Sequence, residues 1–261
     1  MSATVSPARV FSAILLRDVT VARRELPFFL IRTTLQPILI VTVFGFLLPR
    51  MGLVPRVFTT MMIPGVLALS LAMSAIQSVA LPMVADFGYT KEIEDRLLAP
   101  IPTYLVAVEK IVAGVLQGMI AALFVLPVAR IIMGPIPGLT FANFGLLIVV
   151  TILSGAAFSA MGLFLGTAIP PQQIGLMFSV ILAPMIMFGC TYYPWIGLGH
   201  VRAMKYIVLI DPLVYVSEGM RAALTPTVPH MSVVAVLGAL VAICGVFLWL
   251  GLRAFGRRAI S

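Results

Sequence analysis

Charged side chains are scarce in this chain of 261 residues: only 10% are Asp, Glu, Lys or Arg, whereas 61% are hydrophobic and the mean hydropathy is +1.15. Soluble domains carry about 25% charged residues. The stretch from Ile131 to Val201 has no charged residue, although one membrane-spanning helix needs only about 20 apolar residues. This deficit excludes a soluble domain and predicts an integral membrane protein that crosses the bilayer several times.

Cysteine and histidine are equally sparse, with two of each. Cys190 and Cys244 are too few for a disulfide framework, and His200 and His230 have no Cys or carboxylate at metal-ligand spacing. We therefore expect no metal site, and no Ser, His and Asp arrangement indicates catalysis. None of the three lysines follows a glycine, so the phosphate-binding pattern GxxxxGK[ST] is absent. We expect no cofactor and no ATP site in this chain.

Apolar runs separated by Pro, Gly and charge predict an all-α polytopic protein with six transmembrane helices. The expected spans are 31–49, 59–84, 104–131, 142–168, 173–193 and 231–252. Pro37 predicts a kink in the first span. Glu109 and Lys110 open the third span, where long side chains can extend to lipid headgroups. Glycine pairs at GxxxG spacing predict close helix packing in the third and fourth spans; they are Gly114/Gly118 and Gly162/Gly166.

Positive charge is unevenly distributed between the two ends of these spans. Eleven of the 17 Lys and Arg residues lie in the N-terminal segment, the 86–110 region and the C-terminal tail. The excess predicts that both termini are cytoplasmic. The net charge of +8 does not indicate nucleic-acid binding, because the basic residues form no stripe with aromatic residues. Residues 8–30 alternate apolar and basic groups, which predicts an amphipathic helix in the cytoplasmic interface; the alternative is a segment that only retains the N-terminus inside.

Six charged residues are concentrated between Asp86 and Arg96, between the second and third spans. Residues 90–99 predict a short helix with Thr90 as N-cap and Pro100 as its end. It has acidic groups in its first turns and apolar groups on one side, and a helix so short is marginal unless it is covered. Either a partner docks here and covers the helix, or the segment is a solvated cytoplasmic hairpin. The residues concerned are Glu92, Ile93, Glu94, Asp95, Arg96, Leu97 and Leu98.

A longer connector, residues 194–229, precedes the last span. Its Pro and Gly residues predict two short helices, at 201–209 and 213–224. Glu218 and Arg221 are three residues apart and can pair on one helix face, with Tyr215 one turn earlier. Irregular backbone at membrane depth must be shielded by protein or line a cavity. The connector is therefore either an outer gate that releases cargo or a structural cap.

Two segments resemble a known family. EIEDRLLAPIPT (92–103), followed by EKI (109–111), is similar to the cytoplasmic loop of ABC-2 type transporter permeases. YP (193–194), DPLVY (211–215), Glu218 and Arg221 are similar to the segment that precedes the last span in that family, with Asp211 in place of the more usual Asn. The similarity extends over most of the chain, so residues 1–261 are expected to form one ABC-2 type transmembrane domain.

The resemblance implies the transmembrane subunit of an ABC exporter in the inner (plasma) membrane. Two copies, or this chain and a paralogue, would pair with two ATP-binding cassette subunits, which would bind the ATP and Mg. The loop 86–102 would supply a coupling helix that docks on the ATPase, and 194–229 would form re-entrant helices at the outer face that include Asp211, Tyr215, Glu218 and Arg221. Cargo in the family includes lipids, drugs and polysaccharides.

Two other function classes remain as alternatives. An ion-coupled secondary carrier would use an ion gradient, but such carriers commonly have ionisable groups within the spans, and the sequence places none at the centre of a span. An intramembrane enzyme would need a nucleophile and base, or a metal cluster, within the spans. The sequence offers neither.

Overall fold

The computed structural model describes residues 26–55, 57–90 and 102–260, together with the isolated positions Leu16, Thr20 and Arg24. The described part consists of helices and their connections, without a β-strand. Six helices are long and apolar enough to cross a membrane: Pro27–Arg50, Val57–Gly88, Tyr104–Met133, Phe144–Ala168, Pro171–Phe188 and Val233–Arg258. They coincide with the six predicted spans. The predicted all-α polytopic membrane fold is confirmed.

Apart from one α-helical turn at Leu48–Arg50, the described residues form eight α-helices. They are α1 (Leu26–Ile40), α2 (Val57–Ala85), α3 (Thr103–Met133), α4 (Phe144–Ala168), α5 (Ile174–Phe188), α6 (Arg202–Ile207), α7 (Pro212–Leu224) and α8 (Val233–Ile260). Two of them continue into π-helical segments: α1 into Val41–Leu47, which is followed by one α-helical turn at Leu48–Arg50, and α2 into Asp86–Thr90. Short 3₁₀ turns precede α5 and flank α6, at Pro171–Gln173, Trp195–His200 and Val208–Ile210.

The first span begins earlier than the sequence predicted. Residues 26–30, which were assigned to the interfacial helix, belong to the same helix as residues 31–40. The hydrogen-bond register changes to π-helical at Val41, four residues after Pro37; π-helical segments are rare and occur mostly inside α-helices. Apart from Leu16, Thr20 and Arg24, residues 8–25 lie outside the described residues, and the interfacial helix stays a prediction.

The second span, α2, is the centre of the bundle, and most of its residues from Thr59 to Val84 are buried. It packs against α3, α4 and α7. The GxxxG glycines of α4 face it: a Cβ at Gly162 would lie 2.6 Å from the carbonyl oxygen of Ile76, and one at Gly166 would lie 2.8 Å from that of Ala80. Small residues allow backbones to approach closely within a membrane. The predicted packing role of these glycines is confirmed.

The connector helix α7 is inserted among the spans and does not lie on their surface. Every residue of α7 from Leu213 to Leu224 except Tyr215 is buried, and the helix contacts α2, α4, α5 and α8. Its carboxyl end meets the loop between α3 and α4, where Thr140 N donates to Leu224 O at 2.8 Å. The same loop is joined to α2, because the Thr60 hydroxyl donates to Pro137 O at 2.9 Å. The loop between α3 and α4 therefore connects α7 to α2 at this end of the bundle.

Candidate functional site

The two predicted helices of the connector are present as α6 and α7, with bounds close to those expected. Asp211 ends the preceding 3₁₀ turn and caps α7, since its Oδ1 accepts a hydrogen bond from Leu213 N at 2.8 Å. Pro212 follows at the first helical position, where its missing N–H costs no hydrogen bond. The Asp-Pro pair therefore fixes where α7 begins.

Glu218 and Arg221 form the ion pair that their spacing predicted. Arg221 Nη1 lies 2.5 Å from Glu218 Oε1, and both side chains are completely buried. The sequence did not predict this burial. A buried pair is stable only when its remaining donors and acceptors are also satisfied, because desolvation of each ion is costly.

The partners of this pair come from three other parts of the chain. Arg221 Nη2 donates to Met61 O in α2 at 3.1 Å and to Cys190 O, just after α5, at 3.0 Å. Glu218 Oε1 accepts from Trp195 N at 2.8 Å, and its Oε2 accepts from Met231 N, just before α8, at 2.6 Å. These bonds join α7 to α2 and to both ends of the connector. We call Glu218, Arg221 and their four backbone partners the connector clamp.

Sequence reasoning missed the four backbone partners, because a carbonyl or amide group is present at every residue and gives no pattern. Cys190 has an unusual backbone conformation in the structure. It has a φ of 52°, in the left-handed region that a non-glycine residue rarely adopts. Its carbonyl accepts from Arg221 in this conformation, so the clamp helps to offset the strain of the turn after α5.

Tyr215 lies outside the connector clamp. Its hydroxyl donates to Leu209 O at 2.9 Å and so ties α7 back to the 3₁₀ turn Val208–Ile210. Trp195 makes a similar bond within the connector, with Nε1 donating to Lys205 O at 2.9 Å, and Lys205 Nζ lies 4.4 Å from the centre of the Trp195 ring. These contacts cross-link the connector internally.

Burial alters the acidity of the Asp211 carboxyl group. Its Oδ2 is buried and has no hydrogen-bond donor among the described residues. Burial raises the pKa of this carboxyl from 3.8 to about 7, and the hydrogen bond from Leu213 N opposes the rise only in part. Burial also raises the pKa of the nearby Cys190 thiol to about 12, so this thiol stays protonated near neutral pH.

The predicted coupling residues Glu92, Ile93, Glu94, Asp95, Arg96, Leu97 and Leu98 lie outside the described residues, and their role stays a prediction. The structure describes the segment that leads into them. Phe87 contacts the Phe255 ring at 5.8 Å between centroids, and the Arg258 guanidinium lies 4.9 Å from the Phe87 centroid. Arg258 Nη1 also donates to Thr167 O in the last turn of α4 at 2.8 Å. The start of the charged loop thus contacts α8, which in turn is bonded to the end of α4.

Glu109 and Lys110 do not extend to lipid headgroups as the sequence analysis expected. Glu109 is completely buried, and Lys110 is 6% exposed. Both lie in the first turns of α3, and the Ile111 and Val106 side chains beside them pack in a cluster with Met83 and Phe255. The expectation was wrong because the ends of α2 and α8 cover this part of α3. The cluster also places buried charge directly beside the charged loop.

No group of three or more His, Cys, Asp or Glu side chains within the described ranges could hold a metal ion. The expected absence of a metal or cofactor in the whole chain stays a prediction. The described residues therefore have a structural role. A buried ion pair stabilises one end of the bundle, and the start of the charged loop packs at the other end.

Residues 9–225 match the profile of the family described as "ABC-2 type transporter". The chain belongs to the ABC-2 type transporter family. The resemblance that the two motif segments indicated is thereby confirmed. A curated relative, the inner membrane transport permease YadH of Escherichia coli strain K12, is 26% identical over 169 residues, which are 61% of this chain and 60% of the relative. The protein of the same name from Shigella flexneri matches equally.

The match thus spans less than two thirds of the length of these relatives. No solved structure matches the chain. The described residues include the six candidate spans and the connector before the last of them. The family profile also includes the charged loop, since the matched range contains residues 91–101.

Proposed function

We propose that this chain is the permease subunit of an ATP-driven ABC transporter of the inner membrane. The family match over residues 9–225 carries the proposal, and the name of the Escherichia coli relative, an inner membrane transport permease, supports the location. The sequence has no phosphate-binding loop of its own. The energy source is therefore a separate ATP-binding cassette subunit, and the chain itself is no enzyme.

The charged loop is the proposed docking site for that subunit. Its acidic residues can set the register of the contact through ion pairs, while Ile93, Leu97 and Leu98 supply apolar anchors. The contacts of Phe87 with Phe255 and Arg258 support this role, because displacement of the loop would be passed to α8 and, through Thr167, to α4. ATP binding would in this way move the spans and give alternating access.

The transport path is proposed to form between two protomers, either two copies or this chain and a paralogue, since six helices enclose little space. The proposed cargo is hydrophobic or amphipathic, such as a lipid, a drug or a polysaccharide, and the proposed direction is export. The connector clamp favours the cap interpretation over the gate. Opening a gate at α7 would break a completely buried ion pair and at least four hydrogen bonds to backbone groups.

The experiment that tests this function reverses the charge of the loop. The triple variant Glu92→Lys, Glu94→Lys and Asp95→Lys should lose the co-purifying P-loop ATPase and ATP-dependent transport, because the ion pairs that orient the contact become repulsive. Co-purification from native membranes and transport in reconstituted vesicles measure the two effects.

A matched control reverses two exposed charges at the predicted outer side, Arg50→Glu and Arg202→Glu, and should retain both the partner and transport. If the triple variant transports as well as the unaltered chain, the loop is not the docking site. Flux that follows a proton or sodium gradient and ignores ATP would instead indicate a secondary carrier.

A further inference from the structure

An apolar groove lies between α3 and α4, with the connector helix α7 as its floor. It has a volume of about 410 Å³, which is within the range of roughly 300–1,000 Å³ typical of ligand sites. Leu116 and Leu123 of α3 and Phe144 and Ile148 of α4 form its walls, and Met220 of α7 lies at its base. We call this cavity the α3–α4 groove.

The lining of the α3–α4 groove offers no free polar group to a ligand. Its one side-chain hydroxyl, on Thr151, donates to Leu147 O of its own helix at 2.6 Å. The rim is open, since Leu123 is 72% exposed and Phe144 is 57% exposed. On two membrane-spanning helices such a rim faces the bilayer. The groove therefore suits an apolar, flexible occupant that enters from the lipid phase.

Arg130 is a positively charged residue near the end of the groove that lies toward the carboxyl end of α3. It lies four residues, about one turn, after Leu126, which lines the groove, and seven residues, or about 10 Å along the axis, after Leu123. Arg130 is exposed in the last turn of α3, and its guanidinium has no ion pair or hydrogen bond within the described ranges. Two other basic residues at span ends lie against aromatic rings: Arg50 on Phe46 at 4.1 Å and Arg253 on Trp249 at 5.2 Å.

We propose that the α3–α4 groove binds one acyl chain of a membrane phospholipid whose phosphate is held by Arg130. A guanidinium recognises a phosphate through paired charge-assisted hydrogen bonds. The apolar lining of the groove and Arg130 follow one another along α3. The acyl chain of a lipid can therefore lie in the groove while the phosphate of the same lipid contacts Arg130. This inference does not depend on the ATP-driven role.

A second copy of this chain is the less favoured occupant of the groove. Helix pairing in membranes uses small residues at the interface, whereas the groove is lined by large side chains. Two copies meeting symmetrically at this face would also bring one Arg130 close to the other, without a counter-charge from either copy. A phosphate provides that counter-charge directly.

Native mass spectrometry of the full chain in detergent tests the proposal with two probes, phosphatidylglycerol and a diacylglycerol with the same acyl chains. The unaltered protein should retain phosphatidylglycerol preferentially. Arg130→Gln should weaken phosphatidylglycerol binding about tenfold, the effect of losing one charge-assisted contact, and should remove the preference over diacylglycerol. Arg202→Gln, at an exposed arginine remote from the groove, should bind as the unaltered chain does.

Filling the groove should remove both lipids. Ala122→Phe places a ring in the cavity, and Val241→Phe places the same ring on an exposed face of α8 as its control. A thermal melt of each variant separates loss of binding from loss of fold. As an independent readout, a photoreactive residue in place of Leu123 should form adducts with lipid. Equal binding by Arg130→Gln and the unaltered chain, or adducts at position 123 with a second protein chain, would overturn the proposal.

Discussion

Asp211 combines two roles that conflict at the level of a single carboxyl group. One oxygen caps α7 and benefits from negative charge at a helix N-terminus. The other is buried without a donor in the described part of the chain, and burial raises the pKa to about 7. Asn, which the family resemblance led us to expect at this position, caps a helix equally well and carries no charge. The choice of Asp therefore introduces a pH dependence that Asn would not.

The sign of that dependence follows from linkage. Between pH 3.8 and about 7, the unfolded chain has released the Asp211 proton whereas the folded chain retains it. Folding stability should therefore fall as the pH rises through this window, and the destabilisation is complete above pH 7. Asp211→Asn should gain stability relative to the unaltered protein as the pH is raised from 5 to 8, by at most a few kcal/mol, since one pKa unit corresponds to about 1.4 kcal/mol.

Thermal unfolding of both proteins in detergent across this pH range measures the effect. Asp211→Ala serves as the control, because it removes the cap as well and should be less stable than Asp211→Asn at every pH by about 1 kcal/mol. Cys190 does not complicate the comparison, since its pKa is raised to about 12. A difference between Asp211→Asn and the unaltered chain that is constant from pH 5 to 8 would contradict the prediction.

At the scale of elements, α7 is held by charge as well as by apolar packing. Arg221 is the largest of the fully buried side chains in the described residues. Its removal leaves the Glu218 carboxylate buried without its counter-charge, and breaking such a pair costs about 3–5 kcal/mol. Arg221→Gln should therefore lower the stability of the bundle by an amount in this range. The loss is measured as the change in unfolding free energy in detergent.

A double-mutant cycle measures the interaction free energy between Glu218 and Arg221. Glu218→Gln combined with Arg221→Gln should cost less than the sum of the single changes, because no uncompensated charge remains. Arg202→Gln, at an exposed arginine of the same connector, should change stability by about 0.5 kcal/mol or less. Strict additivity in the cycle would show that the two side chains do not depend on one another.

The sequence predicted two features of α7, its bounds and its ion pair, and both predictions depended on residues close together in the chain. Asp-Pro at 211–212 and Thr-Pro at 225–226 delimit the helix, and an i, i+3 spacing pairs Glu218 with Arg221. The same local reasoning failed for Glu109 and Lys110. Their position near the start of a span indicated contact with headgroups, but α2 extends through Thr90 and α8 through Ile260. These neighbouring ends cover that part of α3, and only the packing of the bundle shows it.

For the whole molecule, the distribution of Lys and Arg predicts that both termini and the charged loop are cytoplasmic. A cysteine at Leu53, which is 64% exposed between the first two spans, should react with a membrane-impermeant maleimide added to intact spheroplasts. A cysteine at Ser261 should react only after the membrane is permeabilised. Cys244 is replaced by Ser in both variants, while Cys190 is fully buried and is retained.

The orientation decides whether the proposed coupling is feasible. ATP is available on the cytoplasmic side, so the charged loop must lie there for an ATP-binding subunit to reach it. A further variant, Lys91→Cys, should behave as Ser261→Cys does. Labelling of position 91 in intact spheroplasts would place the loop on the outer side and would refute the ATP-driven role.

The class of the molecule, the number of spans and the family could be predicted from the residues alone, because hydropathy, helix-ending residues and short motifs are local properties. The charge deficit excluded a soluble fold, and two motif segments indicated the ABC-2 type transporter family before any contact was known. The contacts of those residues follow from the packing of the helices. Segments distant in the chain supply the acceptors of Arg221 at Met61 and Cys190, the donors to Glu218 and the walls of the α3–α4 groove. Main-chain groups are the same at nearly every residue, and a cavity depends on packing, so neither can be predicted from residue types.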